Sequence, residues 1–322
     1  MTMEPKRAAI PRGFDHGPFI PARIAEWAYW IDEREAIRRN REAGRPPPWT
    51  DDPVMATTRF CNVRRMDDRV SIWLYENWYK RVKETGRGKD AILAGLSARM
   101  INKPETLLHI TGGKGVFGRW DYDVFLKRMY QVKLSGKPVF THAYIINGAS
   151  GGPKIEQVLG AIAKADARMN VHGATVYLKP TLQETAEALH ELPGVGSFIA
   201  GQVVADLRWV LPRGWPDCMD WAPVGPGSSR GMKYLLGLMS ADGVLGRGND
   251  MSQREFLKNL RLLVKLAERH PVVGPIFRER KLEAHDIQNT LCELGKFVRV
   301  GYGLGRPKNF YEVPKGIWPE TV

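Results

Sequence analysis

The feature that most constrains this chain is a five-residue hairpin, Leu192-Pro193-Gly194-Val195-Gly196, set between two segments of helical pattern. Before it, Thr181-Leu182-Gln183-Glu184 has the form of a capping box, and Leu182, Ala186 and Leu189 fall on one face. Pro193 ends that helix, and Gly194 and Gly196 permit a turn too tight for side chains. Phe198, Ile199, Val203, Val204 and Leu207 then recur at helical spacing. A tight turn of this kind points backbone N–H groups outward beside a helix N-terminus, which is an anion site. The same pattern also describes a glycine turn between two core helices, and both readings stand at this point.

Charge favours the first. The 322 residues carry 48 Lys+Arg against 35 Asp+Glu, a net charge of +13, which points to a polyanionic partner and first of all to nucleic acid. No apolar run approaches the roughly 20 residues that span a bilayer. Residues 1–20 are basic and rich in Pro and Gly, without the apolar core of a signal peptide, so a cytoplasmic location is expected. Cys61, Cys218 and Cys292 make an odd count with no CxxC, which argues against a disulfide framework, a zinc ribbon or a four-cysteine cluster. No metal and no cofactor are expected.

Taken in order, 24–41 reads as an amphipathic helix with Trp27, Trp30, Ile31 and Ile37 inward. Its other residues, Asp32, Glu33, Arg34, Glu35, Arg38 and Arg39, read as a solvated face. A second helical region covers 55–84. Within it Asn62, Arg64, Arg65 and Arg69 beside apolar and aromatic positions suit a pocket that reads a base edge and holds phosphates, or a salt-bridged surface. The glycine-rich stretch 111–118 lacks the GxxxxGK[ST] order and the preceding strand of a nucleotide-phosphate loop, and reads as a flexible loop. Tyr144 is a candidate for stacking on a displaced base, or a buried Tyr with a backbone partner.

Further helices are expected at 89–100, 104–110, 122–134, 155–169 and from 252 to about 269, the last opened by a capping box at Ser252 and Glu255. The best strand candidate is Ala174-Thr175-Val176-Tyr177-Leu178. Residues 225–231, Gly-Pro-Gly-Ser-Ser-Arg-Gly, stand before an apolar helix at 232–239 and read as a second anion cradle, with Ser228 or Ser229 as its cap. The last long helix, 284–300, points Ile287, Leu291, Leu294, Phe297 and Val298 inward and offers His285, Gln288, Glu293 and Lys296 as polar candidates.

The hairpin resembles that of helix-hairpin-helix DNA glycosylases. Several further pieces are similar to the α-glutamyl/putrescinyl thymine pyrophosphorylase family, a relative of those enzymes linked to hypermodified phage DNA. They are Trp49-Thr50-Asp51-Asp52-Pro53, the stretch 59–67, Thr141-His142-Ala143-Tyr144-Ile145, 192–207, 225–231, and 291–299, so the likeness runs over nearly the whole chain. It implies a mainly α fold, helix-hairpin-helix DNA glycosylase-like, with two helical lobes around a central cleft. A single such unit is expected at 21–308, with the helix-hairpin-helix at about 181–210, a flexible basic start at 1–20 and a tail at 309–322.

The resemblance also implies a partner, DNA with pyrimidines substituted at C5, bound by a monomer. In the glycosylases an essential aspartate follows the hairpin; Asp217 and Asp220 lie 21 and 24 residues after Gly196, and Asp220 is preferred because it adjoins the glycine-rich cradle. A fixed carboxylate there would stabilise the positive sugar that forms as a flipped base leaves. Phe198 stands where bifunctional members carry a Schiff-base lysine, so a monofunctional hydrolase is expected. The implied base pocket is Asn62, Tyr144, Gln288 and Lys296, and the phosphate contacts are Gly194, Val195, Gly196, Arg64, Arg65, Gly227, Ser228 and Arg230. Excision of a hypermodified pyrimidine, as anti-phage defence, is the leading expectation. The alternatives are an amino acid or amine transferase displacing pyrophosphate from phosphorylated 5-hydroxymethyluracil in DNA, and a non-catalytic DNA-binding module.

Overall fold

The structure, a computed structural model, describes residues 6–141, 152–211, 213–241, 251–304 and 310–311. Among them the α-helices in chain order are α1 (Pro21–Glu42), α2 (Pro53–Thr57), α3 (Arg69–Trp73), α4 (Lys80–Thr85), α5 (Gly88–Ile101), α6 (Pro104–Ile110) and α7 (Tyr122–Leu134). They continue as α8 (Lys154–His172), α9 (Leu182–His190), α10 (Ser197–Val210), α11 (Pro226–Leu235), α12 (Gln253–Arg269), α13 (Val273–Arg280) and α14 (Ala284–Gly301). No strand forms among the described residues; a single antiparallel bridge joins Thr58 and Phe310. The chain is mainly α, and it divides into two compact units, one made of Met1–Asp68 with Met219–Val322 and the other of Arg69–Cys218.

In the first unit α14 is the central element, packed against α11, α12 and α1. Its apolar stripe, Ile287, Leu291, Leu294, Phe297 and Val298, is buried to 1 % exposure or less. From α1, Trp27, Trp30 and Ile31 are fully buried, each worth about 1.5–3 kcal/mol of apolar transfer. The Trp27 indole N–H donates to Thr290 Oγ1 at 2.9 Å. Helices α11 and α14 touch backbone to backbone: a Cβ on Gly231 would lie 2.2 Å from the Leu291 carbonyl oxygen, and one on Gly227 would lie 3.0 Å from Cys292 Sγ.

In the second unit α5 is buried at every position from 91 to 101 and packs on α10 and α8. Inside that packing the Asp206 carboxylate accepts from Tyr79 Oη at 2.5 Å and from Arg99 Nε at 2.7 Å, an almost wholly buried ion pair. Ahead of the hairpin, Thr181 Oγ1 accepts from the Glu184 N–H, and Glu184 Oε2 accepts from the Thr181 N–H, so the capping box forms. Gly194 has φ +79°, and a Cβ there would lie 2.7 Å from the Ala161 side chain, so glycine is required by conformation and by space.

Three local expectations are corrected. Residues Ala174–Tyr177 form a 3-10 turn rather than a strand, since this short run has no neighbouring strand to pair with among the described residues. The region 55–84 is several short helices, including a π segment at Leu74–Trp78. Helix α11 begins earlier than expected, with Pro226 in its first turn, where its missing N–H costs nothing. Ser228 and Ser229 therefore lie inside the helix and Gly225 takes the N-cap position.

Candidate functional site

In the first unit, Asn62, Glu293 and Lys296, picked from distant parts of the sequence, lie along one edge of α14. Asp286, Asn289, Glu293 and Lys296 recur at helical spacing and together hold the irregular segment 59–64 and the start of the 3-10 turn at Arg65–Asp67. Asp286 Oδ1 accepts from the Arg65 N–H at 2.9 Å, and Asn289 Nδ2 donates to the Asn62 carbonyl at 3.3 Å. Glu293 Oε2 accepts from the Cys61 N–H at 3.1 Å and from Lys296 Nζ at 2.7 Å, and Lys296 also donates to the Arg59 carbonyl at 3.1 Å. Because side-chain partners replace a β ladder here, the segment is fixed beside the helix without regular secondary structure.

Asn62 sits at the turn of this segment, 8 % exposed. Its N–H donates to Asp68 Oδ1 at 2.8 Å and its side-chain amide nitrogen to the Asp67 carbonyl at 2.6 Å, while Oδ1 is buried without a partner. Arg34 comes in from α1, donating through Nε to the Cys61 carbonyl at 3.0 Å and leaving Nη1 buried and unbonded. A buried acceptor and a buried donor thus lie unsatisfied within a residue of each other along the segment. Each such group costs about 1–3 kcal/mol if nothing occupies it.

Burial pushes the Asp68 carboxyl up to about 6, against the Asn62 N–H bond and the Arg34 and Arg65 charges that pull it down. Burial likewise pushes Arg34 below its usual range. Glu293 and burial raise Cys61 well above a normal thiol, and burial with Glu293 raises Cys292 to about 11. Both cysteines are therefore neutral thiols and poor nucleophiles at neutral pH.

Several expected residues meet here. Gln288 is buried with Nε2 3.9 Å from Cys292 Sγ, and the first turn of α11, with Gly227, closes on that cysteine. Ser228 is fully buried, its hydroxyl bonded to the Gly225 N–H and carbonyl. Gly227 thus packs against α14 rather than opening a glycine cradle, because the two helices cross too closely for a side chain. Arg65 is buried, Arg64 is half-exposed with Asp67 3.7 Å away, and Arg230, on α11, has no hydrogen bond or ion pair among the described residues. Tyr144 lies outside the described residues.

The remaining expected residues lie elsewhere. Gly194, Val195 and Gly196 belong to the second unit; Val195 donates its N–H to the Leu192 carbonyl at 3.0 Å, and Gly196 is open and exposed at the start of α10. Asp217 spends both oxygens on the Leu182 and Gln183 N–H groups, 2.8 and 3.0 Å away, completing the cap of α9. Asp220 is exposed, 3.8 Å from the Arg261 guanidinium on the surface, without the enclosure a cation-stabilising carboxylate uses.

Sequence reasoning missed Arg34, which was assigned to a solvated face with Glu35 and Arg38; all three are buried. The signal was available in the spacing. Arg34 and Arg38 stand seven residues after Trp27 and Ile31, on the inward stripe. Inside, Glu35 accepts from Arg38 Nε at 2.9 Å and stands 3.7 Å from Arg280 on α13, while Arg34 reaches only the Cys61 carbonyl among the described residues.

Comparison with known proteins identifies the class. The family described as the helical domain of 5-hmdU DNA kinase matches residues 22–303, and the chain belongs to that family. Among curated proteins, the 5-hmdU DNA kinase of Bacillus phage SP10 is 31% identical over 237 residues, covering 66% of this chain and 37% of that protein. The chain therefore spans little more than a third of the length of this relative. No solved structure matches.

The family overturns the leading expectation of hydrolytic base excision. Its named activity is phosphoryl transfer to a modified nucleoside of phage DNA, so the glycosylase, hydrolase and abasic-site readings fall, and with them the role foreseen for Asp220. Transfer at the C5 substituent, the first alternative, lies nearer to the finding than excision does. No helix among the described residues is long and apolar enough to cross a membrane.

Proposed function

We propose that this chain is the DNA-engaging helical unit of a kinase system acting on 5-hydroxymethyluracil in DNA, holding the modified base for phosphoryl transfer to its hydroxymethyl oxygen. The observation that carries the reading is the match to the kinase's helical domain over residues 22–303. The sequence contains no GxxxxGK[ST] phosphate loop, which is consistent with a role on the DNA side of the reaction rather than the nucleotide side.

The chemistry at Asn62 supports it. Uracil presents an N–H donor flanked by carbonyl acceptors, and the unsatisfied Asn62 Oδ1 and Arg34 Nη1 are the complementary acceptor and donor. Lys296 and Arg65 add positive charge beside them, and Asp68 accepts the hydroxyl proton as the phosphoryl group arrives. With its carboxyl near 6, Asp68 is mostly ionised at pH 7 yet basic enough for that step. Arg64 and Arg230 take backbone phosphates beside the base as it is drawn from the stack, and in the second unit the hairpin at Gly194 and Gly196 takes a phosphate of its own.

The test is selectivity in equilibrium binding. Asp68→Ala removes the partner of the hydroxymethyl O–H, the one group thymine lacks, and the preference for a duplex with one 5-hydroxymethyluracil over its thymine counterpart is expected to fall about tenfold, as for one hydrogen bond to a charged group. Affinity for the thymine duplex should change less than twofold. Retained selectivity in this variant contradicts the assignment of the base site.

A further inference from the structure

A second surface of the first unit stands out by charge. On α12, Arg254, Lys258, Arg261 and Lys265 recur at i, i+4, i+7 and i+11, and all four are exposed. The opposite face, Phe256, Leu257, Leu260, Leu263, Val264 and Leu266, is buried, so the cations form one straight outward stripe. Arg261 donates through Nε to the Asp220 carbonyl at 3.2 Å, with the Asp220 carboxylate 3.8 Å away. Arg254, Lys258 and Lys265 make no hydrogen bond or ion pair among the described residues, although Glu255 stands three residues before Lys258, a spacing that allows one. A shallow groove lined by Ser252, Arg254, Glu255, Lys258 and Arg261 runs along the N-terminal half of the stripe.

The stripe is tied to the candidate site. Gln253, at the start of α12, donates to the Ala222 carbonyl at 2.9 Å and accepts from the Val224 N–H at 2.7 Å. It thus clamps the loop that delivers Gly225 to the N-terminus of α11, whose first turn packs on Cys292. A polyanion lying on α12 would be led toward that turn.

We infer that the exposed face of α12 is a track for the sugar-phosphate backbone of DNA. Eleven residues of helix extend about 16 Å at 1.5 Å per residue. One strand of a duplex places a phosphate about every 3.4 Å of axis, so four cations over that length face roughly five phosphates. Side chains of Lys and Arg with no internal partner are free to follow them, and such contacts carry affinity without reading sequence. The inference rests on the proposed engagement of DNA but not on the recognition of 5-hydroxymethyluracil.

The experiment measures binding of an unmodified duplex by fluorescence anisotropy across a salt series, for the wild type and for Arg254→Ala/Lys258→Ala/Lys265→Ala. Alanine suits exposed helical positions, and circular dichroism checks that helix content is unchanged. Each phosphate contact contributes about −0.9 to the slope of log K against log salt, so the slope should flatten by about 2 to 3 units, with affinity falling at least tenfold near 0.15 M salt. The opposite change, Glu255→Gln/Glu268→Gln, removes the acidic residues that flank and close the stripe and should strengthen binding. An unchanged slope in the triple variant overturns the track and leaves the proposed DNA function intact. A wild type that binds no duplex at any salt overturns both. Loss of binding to phosphatidylserine vesicles with a wild-type DNA slope would assign the face to a lipid surface and overturn the inference.

Discussion

Helices α11 and α14 meet at Gly231 with no room for a side chain, and Gly231→Ala measures how much of the first unit depends on that approach. The added Cβ would sit 2.2 Å from the Leu291 carbonyl oxygen, 2.8 Å from its carbon and 3.0 Å from its Cα. That is about 1.2 Å short of the 3.4 Å at which ordinary contact begins. Overpacking of a core costs about 1–3 kcal/mol when side chains can yield. Here the obstacle is backbone inside a helix, so the upper end, about 3 kcal/mol, applies. Replacing glycine by alanine in a helix returns about 1 kcal/mol of propensity, leaving a net loss of about 2 kcal/mol. Gly160 in α8 provides the control, since nothing lies within 4 Å of a Cβ there, and Gly160→Ala should gain close to the full 1 kcal/mol. Urea unfolding followed by tryptophan fluorescence separates the two variants by about 3 kcal/mol. A Gly231→Ala protein as stable as the wild type would refute the close crossing, and with it the seating of α11 against Cys292.

Two further outcomes follow from buried charge. Asp206→Ala leaves Arg99 and Tyr79 buried without their acceptor and should cost about 3–5 kcal/mol in urea unfolding, whereas Arg99→Met/Asp206→Leu should cost distinctly less; equal losses would contradict the buried pair. His270 is pushed down to about 4 by burial and the neighbouring His16, and its Nδ1 accepts from the Val272 and Val273 N–H groups, so it is neutral when folded. Unfolded, it titrates near 6.5, so between about pH 6.5 and 4 the unfolded chain binds the extra proton and stability falls as the solution is acidified. His270→Asn keeps an acceptor but cannot titrate, and its urea midpoint should depend less on pH across that window. A wild-type pH dependence in the variant would contradict the assignment.

Most long helices were legible in the sequence because their burial is one-sided. Apolar residues at helical spacing mark α7, α8, α12 and α14 without help from the rest of the chain. What escaped was charge placed on the wrong side of that rule. Arg34 and Glu35 look like solvent-facing residues until the segment 59–68 and α13 supply partners far away in sequence, while Arg38 is met within α1 by Glu35 and Glu42. The glycines at 227 and 231 suggest a phosphate loop by composition alone, yet the close approach of α14 explains them. Helix α13 was not foreseen from the sequence; Gly274 and Pro275 fall in its first turn, which tolerates both.

The candidate site was half legible for a similar reason. Asn62, Arg65, Gln288 and Lys296 were chosen by residue type, and the structure brings them together along α14. Asp68 and Arg34 matter only through an unsatisfied neighbour, which no linear pattern displays. The tight turn at 192–196 forms where the sequence placed it, with Gly194 at φ +79°, but it carried no information about the bond being made or broken, and the excision reading came from its resemblance together with Asp220 and the net charge.

The most direct test compares the wild-type protein on two duplexes identical except for one base, 5-hydroxymethyluracil or thymine, by equilibrium titration at fixed salt. The account predicts at least about tenfold tighter binding to the hydroxymethylated duplex, as expected for one hydrogen bond from the added hydroxyl to the Asp68 carboxylate. Equal affinity for the two would contradict it.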